Sequence, residues 1–453
     1  MFDIAKGVDK YKDLIYYAEK YIWQNPETGY VEHKTSKYMA ERFTELGYKL
    51  TYAGNIPGFF TVLDTGKKGP TLLIFAEMDS LVVSTHPDCD KTTKAVHACG
   101  HHAQCAALLG VAAALKDMDK AGILSGKIKL CVVPAEEGVV VEQIEELRKK
   151  GVIKYVSGKQ EFMYRGFFDD CDLAFMLHSR ISHENEKVRF AVTKGSNGVI
   201  RKVIRFVGRA AHAGSDPEKG INALYAANLF LNAANALRET FKDEDHIRFH
   251  PIISKGGLAV NSIPDEVVVE SFVRGANIDA IDELNEKINR AAAGCAVAMG
   301  AKAFIRDRIG SQPLYDNADL QQTAIKATEE LFGEGSAFDT GEWLGSSTDM
   351  GDISAIMPAM HGYIDGGVIG NLHGSDFKVV DVERACVDSA KIQMAIIKEL
   401  MGSGAGKAKK IVENGKGKYR TISEVLKIFD GINVEKELTE YKTDGVFIDC
   451  ERS

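Results

Sequence analysis

The pattern of apolar and polar positions divides the chain into two kinds of region. In the first, near-continuous apolar runs alternate with segments of helical periodicity. Strands that are apolar on both faces and are joined by helices are typical of an α/β fold, with a mainly parallel sheet and helices on both faces. The predicted strands are 71–79, 128–138 and 171–178, and the predicted helices lie within 8–47 and at 102–118 and 141–151.

From about residue 190 the pattern changes to strands of strict alternation. The predicted order is β-α-β-β-α-β, a ferredoxin-like α+β arrangement with helices on one face of an antiparallel sheet. We therefore expect an inserted domain at 190–308, between two parts of the first domain at 1–189 and 309–402. Residues 403–453 form a C-terminal extension without an assigned role, and their first residues, GSGAGKAKK, have the composition of a flexible linker.

Composition narrows the class of protein. The 453 residues are 45% hydrophobic and 26% charged, which excludes a mostly disordered or fibrous chain. A net charge of −8 argues against nucleic acid as a partner. No apolar run reaches the roughly 18 residues of a membrane span, and the first residues lack the apolar core of a signal peptide. We expect a cytosolic protein whose eight cysteines are reduced thiols.

Side chains that bind metals follow the ends of successive predicted strands. Ligands of parallel sheets bind beyond the carboxyl ends of the strands, so these side chains should lie near one another. Imidazoles, carboxylates and a thiolate are metal-ligand types. Each of these side chains alone has an ordinary structural explanation. Only their expected proximity at one edge of the sheet favours a metal site. The candidates at these positions are Glu77, Asp79, His97, Cys99, His101, Glu136, Glu137 and His178, with His373 in a later glycine-rich stretch.

Five short motifs, in this order and spacing, resemble one known family. They are EMDSL (77–81), HACGH (97–101), AEEG (135–138), LHS (177–179) and NLHGSDF (371–377). They resemble the aminoacylase/carboxypeptidase superfamily of binuclear metallohydrolases. The likeness is to its amidohydrolase branch, with hippurate hydrolase, auxin–amino acid conjugate hydrolases and aminobenzoyl-glutamate hydrolases. WQNPETGYVEHKTS (23–36) resembles the entry segment of that branch, and GRAAHAGSDPEKGINAL (208–224) resembles part of its lid domain.

The resemblance implies a role for each candidate. Cys99 would bridge two divalent ions, and Asp79 would orient a ligand from behind. Glu136 would be the general base. The remaining ligands would be His101, Glu137, His178 and His373. A thiolate bridge favours zinc, and manganese or cobalt also suits the nitrogen and oxygen ligands.

In the inserted domain, the resemblance implies that His212 serves the active site of a partner subunit. From the sequence alone, a loop histidine that caps the following helix is the favoured interpretation. Asn261 and Arg274 would bind the substrate carboxylate. The inserted domain would thus be a lid and a dimer interface, in a homodimer or higher homo-oligomer.

The chain departs from the pattern of this branch at three positions, one of which is Arg180, where a proline-containing stretch is more usual. The branch usually has Asp after CGH and His two residues later, where this chain has His102 and Gln104. No role is transferred to either residue. These changes leave the subfamily and the substrate undefined.

The implied activity is hydrolysis of a small-molecule amide, an N-acyl or aryl-amide amino acid, by metal-activated water. Within the superfamily, a dipeptidase or exopeptidase is the alternative. A thiol hydrolase would use Cys99 as nucleophile with His97 or His101 as base, and would leave the two glutamates without a task. A non-catalytic binding descendant would lack a ligand or the base, and none is missing.

Overall fold

The computed structural model describes residues 2–138, 140–181, 187–443 and 445–450. The chain divides into two compact units, each built from separate segments of the sequence. Unit 1 comprises Met1–Gly195, Tyr315–Trp343 and Asp352–Ile422, and unit 2 comprises Ser196–Leu314, Leu344–Gly351 and Ser423–Ser453.

Helices cover both units. The α-helices are α1 (Ile4–Asp9), α2 (Lys12–Trp23), α3 (His33–Glu45), α4 (His101–Lys120), α5 (Val141–Lys149), α6 (Gly158–Tyr164), α7 (Ala223–Ala236), α8 (Ile278–Ala298), α9 (Ala318–Phe332), α10 (Met350–Ser354), α11 (Asp388–Met401), α12 (Gly406–Gly415) and α13 (Ile422–Ile432). No helix of the described residues combines the length and apolar character needed to cross a bilayer.

Strands range from two to ten residues. They are β1 (Leu50–Tyr52), β2 (Phe59–Asp64), β3 (Thr71–Glu77), β4 (Leu81–Val82), β5 (Ala95–Val96), β6 (Lys127–Val133), β7 (Leu173–Arg180), β8 (Phe190–Val192), β9 (Gly195–Ser196), β10 (Gly198–Val207), β11 (Arg248–Phe249), β12 (Ile252–Lys255), β13 (Glu266–Gly275), β14 (Lys302–Ser311), β15 (Leu314–Tyr315), β16 (Ala337–Asp339), β17 (Trp343–Leu344), β18 (Ala359–Asp365), β19 (Val368–Ile369), β20 (Lys378–Val379), β21 (Glu435–Glu437), β22 (Thr439–Lys442) and β23 (Gly445–Ile448).

The core of unit 1 is an eight-stranded sheet in the order β1-β2-β6-β3-β7-β18-β8-β16. Its four central strands, β6, β3, β7 and β18, run parallel. Every residue of β3 is buried, as expected for a strand with helices on both faces. The predicted α/β fold with a largely parallel central sheet is confirmed. The carboxyl ends of β3, β6 and β7 lie at the same edge.

Helix α4 directs its first residue, His101, at that edge. The helix is rich in alanine, and nearly all of its first five turns are buried. Its small side chains permit close packing: a Cβ at Gly110 would lie 2.5 Å from the Ile15 side chain of α2. Gly100, in the left-handed conformation with φ 94°, precedes the helix, and a side chain there would meet Ser179 at the end of β7.

Unit 2 contains an antiparallel sheet in the order β11-β13-β10-β14-β21. Short strand β12 also pairs with β13. The alternating strands β10, β13 and β14 bury one face, against which α7 and α8 pack. Pro251 lies between β11 and β12, where it interrupts a segment that the sequence pattern presented as one strand.

The unit boundaries differ from those expected at 190 and 308. Strand β8 belongs to the central sheet of unit 1, where its buried residues pair with β18 and β16. Unit 2 begins at Ser196 and includes residues 423–453, to which the sequence assigned no role.

The prediction of a flexible linker after residue 402 is wrong. Gly404 forms a turn with φ 77°, and α12 then follows directly. The glycine and serine residues permit the turn. The helix that follows is held in place by the side chains of Ala408 and Ile411, which are buried in the core of unit 1. The composition was that of a linker, but two correctly spaced apolar residues suffice to dock one helical face.

The end of the chain covers the outer edge of β14. Strand β21 pairs with it antiparallel, with Ile305 opposite Lys436. Val434 and Asp307 exchange backbone hydrogen bonds of 3.1 and 2.8 Å, and the Leu438 N–H donates to the Ala303 carbonyl at 2.8 Å. Leu438 is fully buried. Residues 434–438 therefore form hydrogen bonds with backbone groups at the outer edge of β14.

We predict that Leu438→Ala destabilises unit 2. Truncation of a buried leucine typically costs about 2–5 kcal/mol through lost burial and the cavity left behind. Urea unfolding, followed by hydrogen exchange of the β14 amides, measures the effect. The control is Val446→Ala on β23, where the valine is exposed and the change should be within about 0.5 kcal/mol. Equal stability of the two variants would contradict the docking of this segment.

Candidate functional site

Unit 1 gathers the predicted metal-ligand side chains at the carboxyl edge of its parallel strands. Strand β3 ends at Glu77, with Asp79 two residues later, and His178 lies near the end of β7. Glu136 and Glu137 follow β6, and His101 opens α4. These residues converge as expected from strand ends, whereas the buried His97 packs against His102 and belongs to no donor group of the described residues.

The first donor cluster consists of Cys99, His101 and His178. One donor atom from each lies within 4.8 Å of the others. The Cys99 Sγ and the His178 Nε2 are 3.4 Å apart. The His178 Nδ1 donates to the Ser179 carbonyl at 2.7 Å, which directs its Nε2 into the cluster.

The second donor cluster consists of Cys99, Glu137 and His373. The His373 Nε2 lies 3.2 Å from the Glu137 Oε1. His373 has a left-handed backbone with φ 63°, held by its N–H donating to the Ala98 carbonyl at 2.8 Å. Cys99 is common to both clusters, which is the arrangement that a bridging thiolate requires.

The spacings within the clusters fit divalent ions. Donors about 2.0–2.1 Å from a tetrahedral ion are separated by about 3.3 Å, and a sulfur and a nitrogen by about 3.6 Å. The separations of 3.2 Å for His373 and Glu137 and 3.4 Å for Cys99 and His178 are close to these tetrahedral edges. The thiol, imidazole and carboxylate donors suit zinc first.

Asp79 connects the two clusters from behind. It is fully buried. Its Oδ1 and its carbonyl oxygen lie 3.2 and 2.9 Å from the His101 Nδ1, which orients the other ring nitrogen towards the first cluster. Its Oδ2 accepts the Glu137 N–H at 2.8 Å, which fixes the backbone of a residue in the second cluster. This is the geometry of an orienting carboxylate.

The loop that carries Glu136 and Glu137 is held in an uncommon conformation. Ala135 has φ 54°, and its N–H donates to the buried Glu32 carboxylate at 2.8 Å. A Cβ at Gly158 would lie 1.7 Å from the Pro134 carbonyl oxygen, so only glycine permits the start of α6 to approach this loop. Glu32 lies within the entry segment at 23–36, and its role could not be read from the sequence.

Burial governs the protonation of Cys99. Desolvation raises the pKa of the thiol well above its usual value, and the neighbouring Glu137 carboxylate raises it further. The nearby imidazole of His101 only partly opposes these effects. A thiol hydrolase needs the opposite shift, so this environment disfavours Cys99 as a free nucleophile. A metal cation bound in place of the thiol proton would balance the negative charge of the buried Cys99 thiolate.

Several buried polar residues around the clusters were not assigned from the sequence. Glu77 accepts hydrogen bonds from Lys159 at 2.5 Å and from Gln104 at 3.0 Å. His102 is fully buried, with its ring 4.9 Å from that of Trp23. For His102 and Gln104, the only sign of a role in the sequence was their departure from the family pattern. The sequence around Lys159 gave no sign of its role.

Unit 2 brings His212 and Asn261 together, and both are exposed. The Ala213 N–H donates to the Asn261 carbonyl at 3.0 Å. The His212 Nδ1 accepts the N–H groups of Gly214 and Ser215, at 3.2 and 3.1 Å, within its own loop. The helix-capping interpretation of His212 is wrong, because the side chain of Asn222 caps α7.

Arg274 lies at the other end of strand β13 from Asn261. The strand has ten residues, about 30 Å at a rise of about 3.3 Å per residue. The guanidinium of Arg274 contacts the Ser347 hydroxyl at 3.3 Å and lies over the Phe272 ring. Asn261 and Arg274 of one chain are thus too far apart to bind the same small carboxylate.

Comparisons with known proteins agree with this site. Hippurate hydrolase from Campylobacter jejuni is 26% identical over 390 residues, which cover 83% of this chain and 95% of that protein. IAA-amino acid hydrolase ILR1-like 2 from Arabidopsis thaliana is 25% identical over 357 residues, with 76% of this chain and 75% of that protein covered.

A solved structure of similar fold is the YXEP protein of Bacillus subtilis, described as a dinuclear metal-binding peptidase of the M20 family. It superposes with a TM-score of 0.65 at 19% identity, over 86% of this chain and 99% of that one. The sequence of this chain matches Peptidase family M20/M25/M40 over residues 73–399. That match spans most of the chain and all the donor residues of both clusters, and the chain therefore belongs to Peptidase family M20/M25/M40, whose named relatives here are amide-bond hydrolases.

Proposed function

We propose that this protein is a binuclear metal-dependent amidohydrolase that cleaves N-acyl or aryl-amide amino acids. The single observation that carries the proposal is the sharing of Cys99 between two donor clusters, beside the Glu136–Glu137 pair. The relatives named for hippurate and IAA-amino acid hydrolysis support an amide between an acyl group and an amino acid. Zinc is the metal we propose, with manganese or cobalt as substitutes.

In this proposal each residue of unit 1 has a separate task. Cys99, His101 and His178 would hold one ion, and Cys99, Glu137 and His373 the other. Two such ions supply Lewis acidity, which polarises an amide carbonyl and lowers the pKa of water. Asp79 orients His101 and the Glu137 backbone through the contacts described above.

Glu136 is the proposed general base. It directly precedes Glu137 in an irregular loop and is partly exposed. One of its carboxylate oxygens lies within 4.8 Å of donor atoms of His101 and Glu137. From there it can accept a proton from water and deliver it to the leaving amine. The Oε1 of its neighbour Glu137 lies 3.2 Å from the His373 Nε2. In this proposal Glu137 binds the metal and Glu136 transfers the proton.

Unit 2 is the proposed lid and dimerisation domain, with a ferredoxin-like arrangement. Exposed His212 and Asn261 share one surface region, where they can act on the active site of a partner subunit. Asn261 and Arg274 remain the residues we propose to bind substrate carboxylates, and their separation along β13 means that one substrate molecule would not contact both residues of the same chain.

We predict close to two divalent ions per chain in the fully loaded protein, and the loss of at least one ion in Cys99→Ala. A shared thiolate contributes to both sites, so its removal weakens both. Elemental analysis measures the stoichiometry. The control, Cys131→Ala, removes another buried thiol on β6 and should leave two ions. Full occupancy and unchanged activity of Cys99→Ala would exclude the bridging role.

We predict that Glu136→Gln binds both ions but turns over ~10²–10⁴-fold more slowly, because the amide keeps the size of the side chain and lacks its basicity. Activity should be screened on hippurate, N-acetyl amino acids, aminobenzoyl-glutamate and dipeptides. Glu142→Gln, an exposed carboxylate of the next helix, is the control. Loss of metal from Glu136→Gln but not from Glu137→Gln would reverse the two roles. Preference for dipeptides would favour a dipeptidase.

We predict that His212→Ala lowers kcat by ~10²–10³ without loss of metal, as expected for a group that stabilises an oxyanion. The decisive test mixes this variant with Glu136→Gln under conditions of subunit exchange. If His212 acts across a dimer interface, one site of each mixed dimer regains both wild-type residues and activity returns. A monomeric protein by light scattering, or no recovery despite exchange, would refute the action of His212 in a partner's site.

A further inference from the structure

An arginine lies at the carboxyl end of β7, two residues beyond the proposed ligand His178. Arg180 occupies a position where the branch usually has a proline-containing stretch, and the proposed reaction gives it no task. On the neighbouring strand β18, Tyr363 pairs with His178 and Asp365 pairs with Arg180. Residues two apart on a strand, and their direct partners, point to the same face of the sheet. Arg180 therefore lies on the same face as His178, about 6.6 Å further along the strand.

A buried carboxylate holds one side of the Arg180 guanidinium. The Asp365 side chain is fully buried, and its Oδ2 lies 3.5 Å from the Arg180 Nε. Its Oδ1 lies 3.8 Å from the Nη2 of Arg384, whose Nε donates to the Asp365 carbonyl at 2.9 Å. One carboxylate is thus shared by two guanidinium groups. The ion pairs orient Arg180 without cancelling the positive charge of both arginines.

The other side of the guanidinium is open to a ligand. Among the described residues, neither Nη nitrogen of Arg180 forms a hydrogen bond, and the side chain is 29% exposed. The guanidinium lies over the Phe338 ring of β16, with its central carbon 5.7 Å from the ring centroid. Contact with an aromatic face leaves the planar edge of the two Nη groups uncovered. That edge matches the two oxygens of a carboxylate, which it can bind through two parallel hydrogen bonds.

Arg180 also acts on the same tyrosine as the bridging thiol and the proposed base. The Tyr363 ring lies 6.4 Å from that of His178 in an edge-on arrangement. Burial most strongly raises the pKa of the Tyr363 phenol. The charge of Arg180 lowers this pKa, whereas Cys99 and Glu136 raise it when ionised. The guanidinium, the thiol and the base are therefore within electrostatic range of one ring.

The spacing suits the carboxylate of an N-acyl amino acid. Three bonds separate the scissile carbonyl carbon from the carboxylate carbon, which places these atoms about 3.5 Å apart. A charge-assisted hydrogen bond adds about 2.8 Å. The sum of about 6 Å is similar to the step of about 6.6 Å from His178 to Arg180. A carboxylate three bonds from a carbonyl beside His178 can therefore reach this arginine.

We propose that Arg180 binds the carboxylate of the substrate and makes the site selective for acylated amino acids over neutral amides. The inference rests on the proposed amidohydrolase function and adds a specificity-determining residue to it. Arg180 belongs to unit 1, as do all the metal donors of both clusters, so this contact needs no residue of unit 2. A carboxylate accepts about four hydrogen bonds, and Arg180 therefore adds to the proposed contacts of Asn261 and Arg274.

The test compares hippurate with benzoylglycinamide, in which a neutral amide of the same size replaces the carboxylate. Both release benzoate when the acyl amide bond is cleaved, so one product measures both reactions. The proteins are full-length, metal-loaded wild type, Arg180→Gln and Arg42→Gln. Arg42, on α3, is the control because its side chain is 28% exposed and is paired with Glu45, much as Arg180 is paired with Asp365. Ions per chain and thermal unfolding show whether each variant is loaded and folded.

We expect Arg180→Gln to lower kcat/KM for hippurate by ~10–100-fold, mainly through KM, because a hydrogen bond to a charged group contributes about this much to binding. The kcat/KM for benzoylglycinamide and the number of ions per chain should be unchanged. Arg42→Gln should match wild type on both substrates. Arg180→Lys keeps the charge but loses the two parallel hydrogen bonds, so its value for hippurate should lie between those of Arg180→Gln and wild type.

An equal loss for both substrates in Arg180→Gln would overturn the proposal, because it would show a structural effect without recognition of the carboxylate. An unchanged value for hippurate would overturn it as well. If Arg180→Gln loses metal or does not fold, Arg180→Lys decides by the same two criteria. If the wild type cleaves another N-acyl amino acid in place of hippurate, that compound and its carboxamide form the pair. A wild type that cleaves no N-acyl amino acid would instead refute the proposed function.

Discussion

Negative charge buried at one edge of a parallel sheet is the constraint on which this structure depends. Glu77, Asp79 and the Cys99 thiol are buried there, and the Glu137 side chain is only 9% exposed. Isolated buried anions are strongly penalised, so each needs a cation, a hydrogen-bond donor or a proton. Backbone N–H groups, imidazoles and the Lys159 ammonium meet part of this need, and two divalent ions would meet the rest.

The same constraint explains otherwise unusual local structure. Helix α6 begins with a glycine and buries Lys159, Gln160 and Glu161, a composition that suits no ordinary core helix. Each of these residues has a specific partner: Glu77 for Lys159, Asp352 for Gln160, and backbone N–H groups with Arg165 for Glu161. The Gly158 N–H donates to the Ala135 carbonyl at 3.1 Å, so the start of the same helix also supports the loop at 134–138.

The sequence predicted those features that depend on local pattern. Continuous apolar runs identified β3, β6 and β7, and residue types at their ends identified the donors at the same edge. It could not predict the partners of buried charges. Lys159 and Glu77 are 82 residues apart, and nothing near either residue indicates the other. The sequence did not predict the docking of α12, because a glycine-containing turn has the same composition as a flexible linker. The burial of Ala408 and Ile411 distinguishes the two and is known only from the structure.

The pairing of β21 with β14 has a consequence for the synthesis of this protein. Residues of β14 leave the ribosome more than a hundred residues before those of β21, which cover its outer edge. At about 5–20 residues per second, that edge stays unpaired for on the order of ten seconds. During this interval a nascent chain presents an open strand with alternating apolar residues to its neighbours on the same message. Charged Lys302, Arg306 and Arg308 on that strand would limit such pairing until β21 has been synthesised.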